Sequence, residues 1–309
     1  MSDPFAPRVV VKTPATSANL GPGFDCLGLA LDLYDILTLE TAPRDGHAQV
    51  IVHGEGRDRL PCNERNLALR AAQRVLRAAG AELHVARLTM KNAIPIGGGL
   101  GSSAAAIIGG VVAANHAAGS PFDAYDLLRF ALEIENHGDN LAPALHGGVV
   151  VVALDNGRPI IAPLPPPPGL RAVVLTPDLS ISTHQSRATL PRAVPHGDAA
   201  FNTARSALLV AALSTGDYKL LGTAMEDRLH QPQRGTAFPL LPAAIAAARE
   251  AGAYGAALSG SGPSVLALCG ESTDVVKEAM RAVTAAAGFR CTVRELAIVA
   301  HGAAILDDA

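Results

Sequence analysis

Residues 95–105, PIGGGLGSSAA, constrain this chain more than any other stretch. Four glycines (Gly97, Gly98, Gly99, Gly101) run directly into two hydroxyls, Ser102 and Ser103. Without a Cβ, glycine lets backbone press against a ligand and adopt φ > 0. The run AAAIIGGVVAANHAA that follows is small or apolar on nearly every face and predicts a buried helix. The first turn of a helix carries free N–H groups and about half a positive charge. Glycine-rich backbone ahead of such a turn is an anion cradle, and a phosphate chain is the anion it suits best. The plainer alternative is a glycine turn with serine as the helix N-cap. The density of glycine and serine within these eleven residues favours the cradle. No lysine closes the run, which excludes a Walker A loop. Residues 99–104 do fit the GxGxxA of a dinucleotide fold, but a Rossmann strand runs straight into its turn. Here KNAIPI separates the strand-like residues 84–90 from the glycines, and Asp123 reads as part of a helix start rather than as a ribose ligand.

A chain of 309 residues predicts two domains at roughly 100–200 residues each. The prolines of PLPPPPGL (163–170) mark the junction, because a polyproline spacer cannot enter a sheet interior. The predicted division is 1–165 and 166–309. Apolar residues make up 49%, chiefly Ala, Val and Leu with no Trp, which is the composition of a packed enzyme core. A net charge of −3 without a polybasic run argues against nucleic acid as a partner. Cys26, Cys62, Cys269 and Cys291 show no CxxC spacing, which argues against a disulfide framework and structural zinc. MSDPFAPR has no apolar signal region, and no run reaches the roughly 18 apolar residues of a membrane span. A cytoplasmic enzyme is therefore expected.

Residues 9–11 read as a strand leading into a turn-rich loop with Pro14, Gly21, Pro22 and Gly23. Residues 32–60 alternate weakly and predict antiparallel strands. Residues 63–80 predict a helix capped by Asn63 and stopped by Gly80; residues 120–138 predict another, capped by Ser120 and ended by Gly138. After the prolines come a buried strand, a polar loop and a helix, then two helices over 199–230. Residues 252–270 predict strand, glycine turn, strand; 275–288 a helix; and the C-terminal CTVRELAIVAHGAAI a closing strand pair. From the residues alone, Ser17, Asn19 and Asp25 are either polar groups converging on a small ligand or the side chains of a surface loop. The stretch ENHGDNLAPA (135–144) is either a site or a polar helix C-cap. It lacks zinc-ligand spacing, whereas one or two carboxylates with phosphate oxygens suit Mg²⁺.

PIGGGLGSSAA resembles the second signature of the GHMP kinases, P-x-x-x-G-L-G-S-S-A-A, a superfamily of small-molecule kinases. Residues 14–25, PATSANLGPGFD, resemble the first signature in its homoserine kinase form, P-x-T-S-A-N-L-G-x-G-F-D. Residues 252–264, GAYGAALSGSGPS, resemble the third, G-A-x-G-x-x-L-S-G-S-G-P-S. The resemblance runs in order from about Val9 to the last strand. It implies an α+β, two-domain fold: an N-terminal domain like the second domain of ribosomal protein S5, and a ferredoxin-like C-terminal domain. ATP and substrate would meet between them, with Gly260 and Gly262 packed beside the phosphate loop.

The resemblance also implies a set of site residues. ATP would lie on Pro95, Ile96, Gly97, Gly98, Gly99, Leu100, Gly101, Ser102, Ser103, Ala104 and Ala105, with Asn66 and Leu67 against the base. Mg²⁺ would be held by Glu135 with Ser102 or Ser103. ENHGDNLAPA is similar to E-G-H-P-D-N-x-A-P-A, with Asn136 for Gly and Gly138 for Pro. Asn tolerates left-handed backbone, so the first change is mild; losing Pro loosens the turn that orients His137. Ile181, Ser182, Thr183 and Arg187 match I-S-T-x-x-x-R, and Asp227, His230, Pro232 and Arg234 match D-x-x-H-E-P-Y-R in part. Asn19, Asp25, His137, Asn140, Thr183, Arg187 and Arg234 would bind an amino-acid substrate. Asp25 would meet its ammonium, and the two arginines would fork its carboxylate, for which planar guanidinium suits better than lysine. The implied reaction is ATP-dependent phosphorylation of the L-homoserine hydroxyl in threonine synthesis, with Glu135, Ser102, Asn140 and Arg187 catalytic. Asn140 stands where some relatives carry a catalytic aspartate, and an amide cannot act as that base. Another small alcohol, or ATP binding without turnover, are the alternatives. The charges of Asp25, Arg187 and Arg234 favour an amino acid, and Glu135 with the loop serines favours turnover. The resemblance allows a homodimer and implies neither a membrane nor a nucleic acid.

Overall fold

A computed structural model describes residues 6–43, 46–180 and 183–306. Strand β1 (Ala6–Ala18) pairs antiparallel with the 17-residue β2 (Leu27–Pro43). The strand expected at Val9–Val11 thus runs on to Ala18. Pro14 is accommodated because the register shifts between Pro14 and Ala15, a bulge where no ladder N–H is required. β3 (Gln49–Gly54), α1 (Leu67–Ala78) and β4 (Leu83–Asn92) form a crossover unit, and β3 lies parallel to β4. This corrects the expectation of antiparallel strands throughout 32–60, because the intervening helix returns the chain to the starting end of the sheet.

Next come α2 (Ser102–Ala117), α3 (Ala124–Leu132), α4 (Gly138–His146) and the hairpin β5 (Val149–Asp155) and β6 (Arg158–Leu164). Two expected helix boundaries move. Asn66, not Asn63, caps α1, its Oδ1 accepting the N–H groups of Ala68 and Leu69 at 3.0 and 3.3 Å. Asp123, not Ser120, caps α3 by accepting Asp126 N–H at 2.9 Å. Gly138 opens α4 instead of closing α3, and a Cβ there would meet Val152 Cγ2 at 2.9 Å.

Residues 165–170 lead to β7 (Arg171–Pro177) and α5 (Thr183–Ala188). Then follow α6 (His196–Thr215), α7 (Leu221–Ala224), α8 (Gln231–Arg234) and α9 (Leu241–Glu250). The hairpin β8 (Gly255–Leu258) and β9 (Val265–Cys269), α10 (Asp274–Ala286), β10 (Cys291–Ala297) and β11 (Ala304–Leu306) complete the chain. The second sheet has the antiparallel order β10-β7-β9-β8, the strand order of a ferredoxin-like domain. The first has the order β11-β1-β2-β4-β3, with β5 and β6 joined to the early part of β2. The expected closing strand pair is not one: β10 pairs with β7, and β11 crosses to β1 of the first sheet.

β7 shows why the two sheets form one body. Ala172 and Val174 point into a core shared with Leu27, Leu29 and Leu31 of β2 and Leu209 of α6. Val173 and Leu175 point the other way, toward Leu241 and Ala244 of α9 and Met280 of α10. Alternation with both faces buried is the reason this strand reads as a continuous apolar run. The opposite side of the first sheet is covered by α1, α2 and α4. Among the described residues no helix is long and apolar enough to cross a membrane.

Asp35 on β2 ties this scaffold to the phosphate loop. Its Oδ1 accepts the N–H groups of Ala93 and Ile94 at 2.7 and 2.9 Å, just ahead of Pro95, while its Oδ2 has no partner among the described residues. Burial raises its pKa to about 6, against the lowering effect of those two N–H groups. A carboxyl whose folded pKa is raised favours folding below its unfolded value near 4, and that contribution is lost as the pH rises through about 6. Asp35→Asn keeps the acceptor and removes the charge. The melting temperature of the variant relative to the native chain is therefore expected to be highest near pH 7.5 and to fall back toward pH 5. Thermal melts across that range check it.

Candidate active site

A cleft of about 340 Å³ opens where the two sheets meet. Its floor is the glycine–serine segment. Gly97, Gly99 and Gly101 have φ of 69°, 78° and 71°, the left-handed region that glycine occupies without strain. Gly101 is the N-cap of α2 and no side chain caps that end. The serine-cap alternative therefore does not hold, and the first-turn N–H groups remain open toward the cleft. The loop is clamped from the second sheet: Ser259 Oγ donates to Gly99 O at 2.6 Å, and Ser264 N–H to Gly98 O at 3.1 Å. A Cβ on Gly99 would come within 2.3 Å of Ser259 O and 2.9 Å of Gly262 O. Gly99→Ala combines this overlap with a disfavoured φ and is expected to cost about 2–4 kcal/mol of stability and raise KM for ATP. A melting curve alongside ATP kinetics checks both.

The expected nucleotide residues divide into two groups. Pro95, Ile96, Gly97, Gly99, Gly101, Ser102 and Ser103 line the cleft together with Asn66 and Leu67. Gly98, Leu100, Ala104 and Ala105 do not: Leu100, Ala104 and Ala105 are buried in the core, and Gly98 packs against Pro95 and Thr176. Asn66 is committed to the scaffold, since its Oδ1 caps α1 and its Nδ2 donates to Pro61 O at 3.0 Å. Leu60, Pro61, Met90 and Ala106, none of them singled out from the sequence, complete an apolar recess beside it.

One wall carries a chain of acids. Ser103 Oγ lies 3.2 and 3.1 Å from the two oxygens of Glu135. His137 bridges Glu135 and Asp139, with Nε2 at 3.3 Å from Glu135 and Nδ1 at 3.1 Å from Asp139. These contacts hold His137 despite the missing proline at 138. Burial raises the Glu135 pKa, opposed by His137 and by the Ser103 hydrogen bond. For His137, burial works against the charged form, but the hydrogen bond and charge of Asp139, with Glu135 behind them, outweigh it and raise the pKa. Asn140 follows on α4, and its Oδ1 accepts from Thr16 Oγ1 at 2.8 Å.

Close enough to feel these acids lie the charges expected to recognise a substrate. Asp25 and Arg187 form a two-pronged pair, Nη1–Oδ2 2.9 Å and Nη2–Oδ1 2.7 Å, with both side chains reaching solvent in the cleft. The groups expected to hold opposite ends of an amino acid thus hold each other. Asn19 positions this pair. Its Oδ1 accepts Asp25 N–H at 3.0 Å and its Nδ2 donates to Gly260 O at 2.9 Å, with both Asn19 and Asp25 at positive φ. Asn19 itself also lines the cleft. Arg234 lies deeper, 5% exposed, and donates through Nη1 to Gly260 O and His230 Nδ1, each at 3.0 Å. Its Nε has no partner among the described residues, and burial, aided by the charge of Arg187, lowers its pKa to about 10. His230 is fully buried with Nε2 on Gly21 O at 2.8 Å, and Asp227 accepts the N–H groups of residues 229–231. Phe24 stands between the arginines, its ring centre 5.4 Å from each guanidinium carbon. Ile181, Ser182 and the Thr183 side chain lie outside the described residues.

Sequence reasoning passed over Thr16 and Phe24. Both were inside quoted motifs, but a buried hydroxyl and an aromatic spacer have no spacing signature of their own. Asp139, the carboxylate next to Asn140, is turned to His137 Nδ1. The arrangement can hold a hard cation. Among the described residues no three His, Cys, Asp or Glu side chains make a ready metal cage. A half-buried carboxylate, Glu135, bonded to the Ser103 hydroxyl beside a phosphate cradle instead suits Mg²⁺ bound largely through phosphate oxygens.

Comparison with known proteins agrees with this geometry. The family model described as GHMP kinases N terminal domain matches residues 66–148, and GHMP kinases C terminal matches 209–288. The homoserine kinase of Moorella thermoacetica is 45% identical over 297 residues, covering 96% of this chain and 99% of that protein. That of Desulfitobacterium hafniense is 42% identical over 299 residues, covering 96% and 100%. The crystal structure of homoserine kinase from Cytophaga hutchinsonii superposes with a TM-score of 0.90 at 31% identity, covering 99% of this chain and 98% of that one. A mevalonate kinase of L. major, at 18% identity and a TM-score of 0.68, shares the fold.

Proposed function

The chain belongs to the GHMP kinases and, within them, to the homoserine kinases, and from that premise we propose that it transfers the γ-phosphoryl group of ATP to the side-chain hydroxyl of L-homoserine, giving ADP and O-phospho-L-homoserine. One observation carries the substrate assignment. In the same cleft as the phosphate cradle a half-exposed carboxylate is paired with a half-exposed guanidinium, Asp25 with Arg187. A zwitterionic amino acid satisfies both when it replaces the internal pair, its ammonium on Asp25 and its carboxylate on Arg187. A sugar or a simple hydroxy acid leaves at least one of them unmatched.

Phosphoryl transfer asks mostly for positioning and charge neutralisation. The backbone N–H groups of the glycine–serine segment and the start of α2 bind the phosphates. Glu135 and Ser103, with Ser102 beside them, would hold Mg²⁺, which when bound neutralises charge on the β- and γ-phosphate oxygens. Arg187 and Arg234 neutralise and orient the amino acid. The substrate hydroxyl oxygen bonds to the γ-phosphorus as the bond to the β,γ-bridging oxygen breaks. The electron pair leaves on ADP, and the hydroxyl proton passes to a phosphoryl oxygen. Asn140 donates to the hydroxyl oxygen and takes no proton. With this reaction the chain would serve threonine biosynthesis, in the cytoplasm. A coupled assay for ADP release across homoserine, mevalonate and galactose tests the reading. ADP release dependent on Mg²⁺ and on homoserine is expected. Turnover of a sugar instead, or ATP binding with no turnover on any of the three, would contradict it.

A further inference from the structure

Thr16 joins three parts of the site. It lies on β1 with no exposed surface, and its N–H donates to Leu100 O of the phosphate loop at 3.1 Å. Its hydroxyl donates to Asn140 Oδ1 at 2.8 Å. Gly101 makes room for that contact, since a Cβ there would stand 1.9 Å from Thr16 Oγ1 and 3.1 Å from Asn140 Oδ1. A carboxamide has two unlike edges, an acceptor oxygen and a donor N–H₂. Turned the other way, the Asn140 amide would leave the proton of a fully buried hydroxyl without this acceptor, which is costly.

We propose that Thr16 is a positioning residue that fixes the polarity of Asn140, so that only N–H donors face the substrate hydroxyl. This rests on the kinase reading above and deepens it. With its oxygen occupied by Thr16, Asn140 cannot compete for the hydroxyl proton, and the nucleophilic oxygen is held by donation toward the γ-phosphate. The same threonine anchors Leu100, so donor and phosphate loop are set by one residue.

The test compares Thr16→Val, which keeps the shape and removes the hydroxyl, with Thr16→Ser, which keeps the hydroxyl. Thr16→Val is expected to lower kcat about tenfold or more, the scale of one lost supporting hydrogen bond, with KM for ATP within about twofold. Thr16→Ser is expected to retain kcat within about threefold. In an Asn140→Ala background, Thr16→Val is expected to add no further loss, because two residues acting through one contact are not additive. Should the valine methyl not be accommodated, Thr16→Ala gives the same readout with no added atom. A second readout needs no turnover: the Asn140 side-chain N–H₂ resonances shift in Thr16→Val and hold in Thr16→Ser. Native kcat in Thr16→Val, equal losses in the serine and valine variants, or unmoved Asn140 resonances would each overturn the role of Thr16. A native chain that releases no ADP with homoserine would instead overturn the kinase reading, and the resonances would still judge Thr16.

Discussion

Glu135→Gln is expected to lower kcat by about two to three orders of magnitude at saturating ATP and homoserine, with KM for homoserine changed only a few-fold. The size follows from removing one group that acts on charge developing in the transition state, typically worth about 10²–10³ in rate. The residue is chosen on geometry. Glu135 is the carboxylate that Ser103 reaches at 3.1–3.2 Å beside the phosphate cradle. Glutamine retains an acceptor for Ser103 and fills the same volume, so the fold is expected to hold. Burial already disfavours the charge on Glu135, so losing that charge carries no stability penalty from desolvation. A fall in kcat with an unchanged melting temperature is therefore the expected signature, read from steady-state kinetics and a thermal melt. Native kcat in this variant would remove Glu135 from the reaction.

The second large effect falls on substrate binding. Arg187→Met is expected to raise KM for homoserine by about 10²–10³-fold and leave KM for ATP near the native value. A truncated partner in a charged hydrogen-bonded pair costs about 2–5 kcal/mol, which spans that range. Arg187→Lys is expected to recover only part of the loss, because a point charge cannot reproduce two parallel N–H···O bonds. Arg187 is a cleaner probe than Arg234. It is half-exposed and touches Asp25 at the surface of the cleft, whereas Arg234 is buried against His230 and Gly260 O. Removing Arg234 would mix weaker binding with a damaged core. Equal KM values for homoserine in the native and Arg187→Met chains would show that the carboxylate is held elsewhere.

Much of this site was legible because its chemistry depends on backbone. A cradle of left-handed glycines followed by a helix start can be read from PIGGGLGSSAA, and it occupies the floor of the cleft. The third signature was legible for the same reason: Gly99 and the turn at Gly260 and Gly262 approach too closely for side chains. Local competition between caps was less legible. Asn63, Asn66, Ser120 and Asp123 are all good capping residues, and tertiary packing chose Asn66 and Asp123. Strand direction was illegible at β3, because the pairing of residues 49–54 depends on the helix that follows them. The internal pairing of Asp25 with Arg187 was hidden for a different reason. Their motifs lie 162 residues apart, and sequence shows which charges a substrate needs without showing what satisfies them in its absence.

The most direct test is a crystal structure of the chain with a non-hydrolysable ATP analogue and L-homoserine. The triphosphate is expected on the N–H groups of the cleft-lining residues Gly97, Gly99, Gly101, Ser102 and Ser103, and the amino acid between Asp25 and Arg187 with its hydroxyl toward Asn140. A nucleotide bound elsewhere with the glycine–serine segment empty, or homoserine away from an intact Asp25–Arg187 pair, would contradict it.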